Sequence, residues 1–288
     1  MKPDVDCAAC ILKWVYQRAR VLADEKERFH LIKDMLGVLS REFSSESNVG
    51  LLCNKTTESI SEFMFASAEY YEELKFKSNR LADGLLPAAR DFINRGETPD
   101  KQFERAFCLA SAGNVAPIGA PSGAFEFDEV ENIVKGRIPL PVMIGDVYKA
   151  AQGATSVLYI ADNAGEIGFD SLAIASLKEM GLKVTLIVKE APFFEDATIK
   201  DASFFALNEL ADKILSVRGV FVPGESIPTL NDAFRQSDLV IAKGTGNYEA
   251  LAGELVDKAT IYMLKAKCRP VAISIGVEMG YFVVKLEK

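Results

Sequence analysis

Short β-branched runs at residues 157–161, 184–188, 239–242, 260–264 and 271–275 alternate with helical patterns at 167–180, 202–211, 230–236 and 248–256. A chain with that rhythm has few ways to bury both kinds of element. The economical one is a mostly parallel sheet with helices on its faces. The run at 281–286 follows Gly280 closely and predicts an antiparallel edge strand. Before residue 156 the pattern is different. Cys10, Ile11, Trp14 and Val15 form an apolar stripe at helical spacing behind a capping Asp6. Further helical patterns cover 26–43, 56–76, 81–94, 100–112 and 126–134, with Gly96 and Pro99 separating two of them. The expected fold is α/β: a Rossmann-like, mostly parallel sheet in the C-terminal half and a helical N-terminal portion. The division falls near residue 145, giving a helical region over 1–145, which can split into two helical subdomains, and an α/β domain over 146–288.

In a parallel sheet the loops that follow the strands share one edge, where ligands collect. Here the first strand runs into Asp162-Asn163-Ala164-Gly165-Glu166, and the second leads on to Glu195-Asp196-Ala197-Thr198. A later strand opens onto Lys243-Gly244-Thr245-Gly246-Asn247-Tyr248-Glu249, and another onto Lys265-Ala266-Lys267-Cys268. Each loop alone has an ordinary structural use, and Asp162-Asn163 can simply cap a helix. Together they have a chemical logic. Oxygen donors on Asp162, Asn163 and Asp196 suit a divalent metal ion (Mg, Mn, Co or Ni), which would polarise a phosphoryl oxygen. Gly244 and Gly246 allow backbone N–H groups close to anionic oxygens, and Lys265 adds positive charge. Glu166 can orient water or act as an acid/base. Gly244-x-Gly246 is no dinucleotide fingerprint, since Glu249 stands at the third glycine position and the loop follows a late strand.

Exclusions narrow the chemistry. His30 is the only histidine of the 288 residues and lies in a helical pattern, so triads and histidine-rich zinc sites have little to work with. A net charge of −8 argues against a nucleic-acid partner. No apolar run is of membrane-spanning length and the first residues carry no signal-peptide pattern, so a cytoplasmic protein is expected, with no membrane partner. The five cysteines do not form a secreted disulfide framework. Cys7 and Cys10 sit three apart on a helix, as buried or site-lining thiols or in a metal or redox role. The oligomeric state leaves no mark on the sequence.

Taken in order and spacing, the four loop segments resemble the metal-dependent damage-control phosphatases, also called domain of unknown function 89. Cys7-Ala8-Ala9-Cys10 resembles the prokaryotic and archaeal branch. The resemblance covers nearly the whole chain. It implies metal ligands at Asp162, Asn163 and Asp196, a substrate-binding segment over Thr245, Gly246, Asn247 and on to Glu249, and a phosphate-facing Lys265. It implies an active-site acid at Glu166 and, through Gly113-Asn114, a site-facing Asn114, although the acid expected soon after is replaced by Ala116 and Pro117. Tyr262 and Met263 stand where the eukaryotic branches have Arg and Thr, so their substrates do not transfer. The implied activity is hydrolysis of a small phosphorylated metabolite, a sugar phosphate or a damaged relative. The alternatives are an S-adenosylmethionine-dependent carboxyl methyltransferase and a non-catalytic metal- or metabolite-binding protein.

Overall fold

The structure, a computed structural model, describes residues 1–253 and 258–288. Helices come first: α1 Val5–Leu22, α2 Glu25–Glu42, α3 Val49–Ser59, α4 Ser61–Ala66, α5 Ala68–Asn94, α6 Pro99–Ala112 and α7 Asp128–Val134. Then follow β1 Val142–Ile144, α8 Val147–Gln152, β2 Ser156–Ile160, α9 Glu166–Glu179, β3 Lys183–Lys189, α10 Ile199–Phe204, α11 Leu207–Leu210 and β4 Lys213–Val217. The chain closes with α12 Pro228–Gln236, β5 Leu239–Lys243, α13 Gly244–Leu251, β6 Thr260–Lys265, α14 Arg269–Ile275 and β7 Phe282–Glu287. The architecture is α/β, with a mostly parallel sheet and a helical N-terminal portion. Asp4, two residues before the expected Asp6, caps α1 by accepting from Asp6 N at 3.0 Å.

Among the described residues the sheet has seven strands in the order β1-β7-β6-β5-β2-β3-β4. All pairs are parallel except β6 with β7. Alternation along β2 builds both faces of the core. Val157 and Tyr159 meet α6 and α9 through Phe107, Ala110, Ile167 and Ile174. Leu158 and Ile160 face the opposite layer, with Tyr248 of α13 and Val271 and Ile275 of α14. Among the described residues no helix is long and apolar enough to cross a membrane.

Several expectations need correction. The helices expected at 56–76 and 81–94 are instead the end of α3, the short α4 and the single long α5. The run 271–275 is not a strand but the body of α14, which buries Val271, Ala272 and Ile275 and exposes Ile273; it is started by Pro270 in its first turn and stopped by a left-handed Gly276 at φ 85°. A short apolar, β-branched run does not distinguish a buried strand from a buried helix. The strand at 281–286 is antiparallel to β6, as expected, but it is not an edge, because β1 pairs beyond it. The β1 and β4 edges carried too little alternation to be seen. The expected helix at 248–256 starts earlier, at Gly244, and its last three residues lie outside the described residues.

The strand order reverses between β2 and β5: the chain proceeds to β3 and β4 on one side and to β6 on the other. A crevice opens at the carboxyl ends of strands on either side of such a reversal. Asp162 follows β2 there, and Gly244 follows β5.

Candidate active site

Two turns form the acidic wall, and the backbone locks them together. Asn163 and Asp196 form an isolated antiparallel bridge, Ala197 N donates to Asp162 O at 2.8 Å, and Ala164 N donates to Glu195 O at 3.0 Å. Gly165, at φ 72°, makes the sharp turn into α9. Its N–H donates to Asn79 Oδ1 of α5 at 2.6 Å, and a Cβ there would sit 2.7 Å from Phe127 Cζ.

The carboxylate of Asp162 is the centre of this wall. Its Oδ2 accepts from Asn163 Nδ2 at 2.7 Å and from Asn114 Nδ2 at 2.9 Å. Across the crevice Gly244, at φ 77°, comes so close that a Cβ would lie 1.9 Å from that same oxygen. The first turn of α13 can reach Asp162 only through glycine. Gly244→Ala is therefore expected to displace the carboxylate and lower kcat at least about 100-fold, the scale of a misplaced reacting group. Steady-state kinetics alongside a thermal melt checks this; an active Gly244→Ala enzyme would mean that the close approach is incidental.

Glu166 is buried and saturated. It accepts from Asn114 Nδ2 at 3.1 and 2.9 Å, from Asn163 Nδ2 at 2.8 Å and from Lys243 Nζ at 2.6 Å. Lys243, fully buried, also donates to Asp170 Oδ1 at 2.7 Å and to Ala110 O at 2.8 Å. Tyr159 donates its hydroxyl to Asp170 Oδ1 at 2.7 Å. Burial works against charge throughout this cluster, yet the Lys243 ammonium holds Glu166 below the usual carboxylate range. Asp170 is instead pushed up to about 7, because burial outweighs the same lysine.

Asp162 and Asp196 face a different balance. Burial first, then the charge of Glu166, pushes Asp162 up to about 6. Burial lifts Asp196 to about 8 against the pull of Lys189, which stands 3.4 Å away. Two half-buried acids that resist ionising beside one another suit a cation, whose charge would favour both carboxylates. Among the described residues no three His, Cys, Asp or Glu side chains gather as a metal-ligand set. The fit therefore stands on two carboxylates and one amide. Asn163 spends its NH2 on Asp162 and Glu166, which leaves its carbonyl oxygen free as a hard donor, and Asp162 Oδ1 accepts no hydrogen bond among the described residues. Asp162, Asn163 and Asp196 thus fit a hard divalent ion.

These groups form one wall of a cavity of about 170 Å³. Thr245, Gly246, Asn247 and Lys267 line it too, and α1 and α3 roof it. Asn247 Nδ2 donates to Ala161 O at 3.2 Å and Lys243 O at 2.8 Å, fastening the ends of β2 and β5 together. The structure thus gathers Asp162, Asn163, Asp196, Gly244, Thr245, Gly246 and Asn247 around the crevice, with Asn114 and Glu166 directly behind it. It does not bring the ammonium of Lys265 there. Lys265 Nζ pairs with Glu129 at 3.1 Å and lies over the Phe282 ring, while its backbone N donates to Asn114 Oδ1 at 3.1 Å. Lys267, two residues on, lines the cavity; burial lowers its pKa while Asp162 and Glu166 favour its charge.

Lys243, Asp170, Lys267 and the buried Arg18–Glu195 ion pair were not singled out from the sequence. One signal was available. Glu166 and Asp170 are four apart at the start of a buried helix, and two acids on one apolar face call for a counter-cation.

The family model of the damage-control phosphatase ARMT1-like domain matches residues 4–283. An uncharacterized protein of Methanocaldococcus jannaschii is 32% identical, covering 97% of this chain and 93% of its own. A damage-control phosphatase of Archaeoglobus fulgidus is 30% identical over 99% of both chains. A crystal structure of a DUF89 family protein from Pyrococcus horikoshii superposes with a TM-score of 0.77, at 27% identity over 100% of both chains. With sequence and fold both matched from end to end, the chain belongs to the damage-control phosphatase ARMT1-like domain family.

Proposed function

We propose that this chain is a metal-dependent phosphatase that hydrolyses a small phosphorylated metabolite, of the damaged kind that a damage-control enzyme removes. The observation that carries the reading is the meeting of Asp162, Asn163 and Asp196 with the first turn of α13 and Lys267 at the reversal point of the sheet. The Archaeoglobus fulgidus relative bears the name damage-control phosphatase, which supports the same chemistry. The Cys7-x-x-Cys10 pair supports the prokaryotic and archaeal branch.

In this reading Asp162, Asn163 and Asp196 hold a divalent ion of the Mg, Mn, Co or Ni type. Such an ion supplies Lewis-acid polarisation of the phosphoryl group and neutralises its charge. The chain's own residues do the rest. Backbone N–H groups of Thr245, Gly246 and Asn247 at the start of α13 receive the phosphoryl oxygens. Lys267 takes the role expected of Lys265, as the cation facing the phosphate. Water forms the new P–O bond as the ester P–O bond breaks, releasing inorganic phosphate and an alcohol. Glu166, enclosed by four donor contacts, is a positioning residue: it fixes the amides of Asn114 and Asn163, which in turn aim Asp162. The proposed division of labour follows the chain. Residues 1–145 contribute the roof and Asn114, and residues 146–288 contribute the acids, the α13 amides and the lysine. A cavity of about 170 Å³ is small for S-adenosylmethionine, since pockets for drug-sized ligands span about 300–1,000 Å³.

Phosphate release should vanish in EDTA and return on adding back Mg²⁺, Mn²⁺, Co²⁺ or Ni²⁺ singly. Turnover that EDTA leaves untouched would exclude the metal from the reaction. Silence across a broad phosphate panel, with metal-dependent stabilisation in a thermal melt, would instead favour a binding protein.

A further inference from the structure

The cavity has a second wall that the phosphoryl chemistry does not use. Four of the chain's five cysteines line it: Cys7 and Cys10 from α1, Cys53 from α3 and Cys268 just before α14. On α1 the lining positions are Asp6, Cys7, Cys10, Ile11 and Trp14, a mostly apolar helical stripe that forms the roof. Val49, Val220 and Pro270 complete this side. Besides Lys189 and Glu195, which are already held in ion pairs with Asp196 and Arg18, its hydrogen-bonding side chains among the described residues are the carboxyls of Asp6 and Glu249 and the Trp14 indole.

We propose that the alcohol carried by the phosphoryl group is a compact, ring-sized apolar body rather than a polyhydroxylated sugar. This inference rests on the phosphatase reading above and deepens it. Protonated thiols behave as small apolar groups with a weak S–H donor. Burial keeps these protonated, raising Cys7 and Cys268 to about 11 and Cys53 to about 12. A sugar entering this wall would surrender the hydration of several hydroxyls and meet too few partners to replace it. An apolar ring loses nothing comparable and covers the thiols and the valines. The cavity is about 170 Å³ in all and also takes the phosphoryl group, which favours a compact body against the thiols.

The test compares primary-alcohol esters, so that leaving-group chemistry is matched: benzyl and cyclohexylmethyl phosphate against glucose 6-phosphate and ribose 5-phosphate, with the activating metal present. The apolar esters should show kcat/KM at least about tenfold higher, mainly through KM. The reverse order overturns the proposal. A Cys10→Ser, Cys268→Ser double variant should raise KM for benzyl phosphate about threefold or more with little change in kcat; an unchanged KM counts against the thiol wall. Should that variant fail to fold, thermal shifts of the unmodified protein with benzylphosphonate and methylphosphonate decide the point, the benzyl compound being expected to stabilise more. Equal shifts overturn the proposal. No release from any ester would defeat the phosphatase reading alone, and the two phosphonates would still judge the apolar wall.

Discussion

Replacing Asp162 by asparagine should lower kcat about 1,000-fold, roughly 4 kcal/mol of transition-state stabilisation, while the fold survives. The substitution is nearly isosteric, and its amide oxygen can go on accepting from Asn114 and Asn163 as Oδ2 does now. The amide nitrogen then takes the place of Oδ1, the oxygen left free to hold a cation. One negative charge and one ligand disappear together. Titration calorimetry with Mn²⁺ should show a matching loss of metal affinity, and circular dichroism should be unchanged. Near-normal turnover in a preparation free of contaminating phosphatase would remove Asp162 from the proposed role.

The second large effect is on stability. Lys243→Met should destabilise the fold by about 3–5 kcal/mol, the usual cost of breaking a buried ion pair from one side. The ammonium is fully buried and serves two carboxylates, Glu166 at 2.6 Å and Asp170 at 2.7 Å. Methionine fills much the same volume but leaves both acids without a counter-charge. A protein of this size should then melt roughly 10 °C lower. Adding Asp170→Asn to Lys243→Met removes one of the stranded acids and should recover part of the loss, so a double-mutant cycle reports the coupling. Equal stability of Lys243→Met and the parent would mean that the cluster is neutral at the pH of the measurement. Activity should fall as well, because Glu166 no longer fixes Asn114 and Asn163.

The loop chemistry was readable before the fold because it sits where periodicity breaks. Asp162 and Lys243 each end an apolar run, with Asn163 and Gly244 directly after them, and a strand that stops at a charged residue before a turn marks its own edge of the sheet. Asn114 was harder to read. Gly113-Asn114 suits the end of a helix equally well, and only the packing of α6 on the sheet brings that amide to 2.9 Å from Asp162. The choice between Lys265 and Lys267 was also beyond a linear reading. Both follow β6, but Lys265 turns to Glu129 and Phe282 while Lys267 lines the cavity. The helix at 271–275 was hidden for a different reason, since side-chain type says little about the backbone of a short apolar segment.

By itself, then, the sequence determined the alternation of strands and helices, the parallel sheet that follows from it, and the loops rich in oxygen donors at the strand ends. These are local properties, set by side-chain spacing and by where apolar runs terminate. The tertiary structure alone decided which charges meet and what the cavity is made of. Lys243 finds Glu166 and Asp170 from 77 and 73 residues away, and the thiols of α1, α3 and the start of α14 converge on one wall. Such partners are selected by the cost of burying an unpaired charge or an exposed apolar face, a cost that exists only once the chain has folded around them.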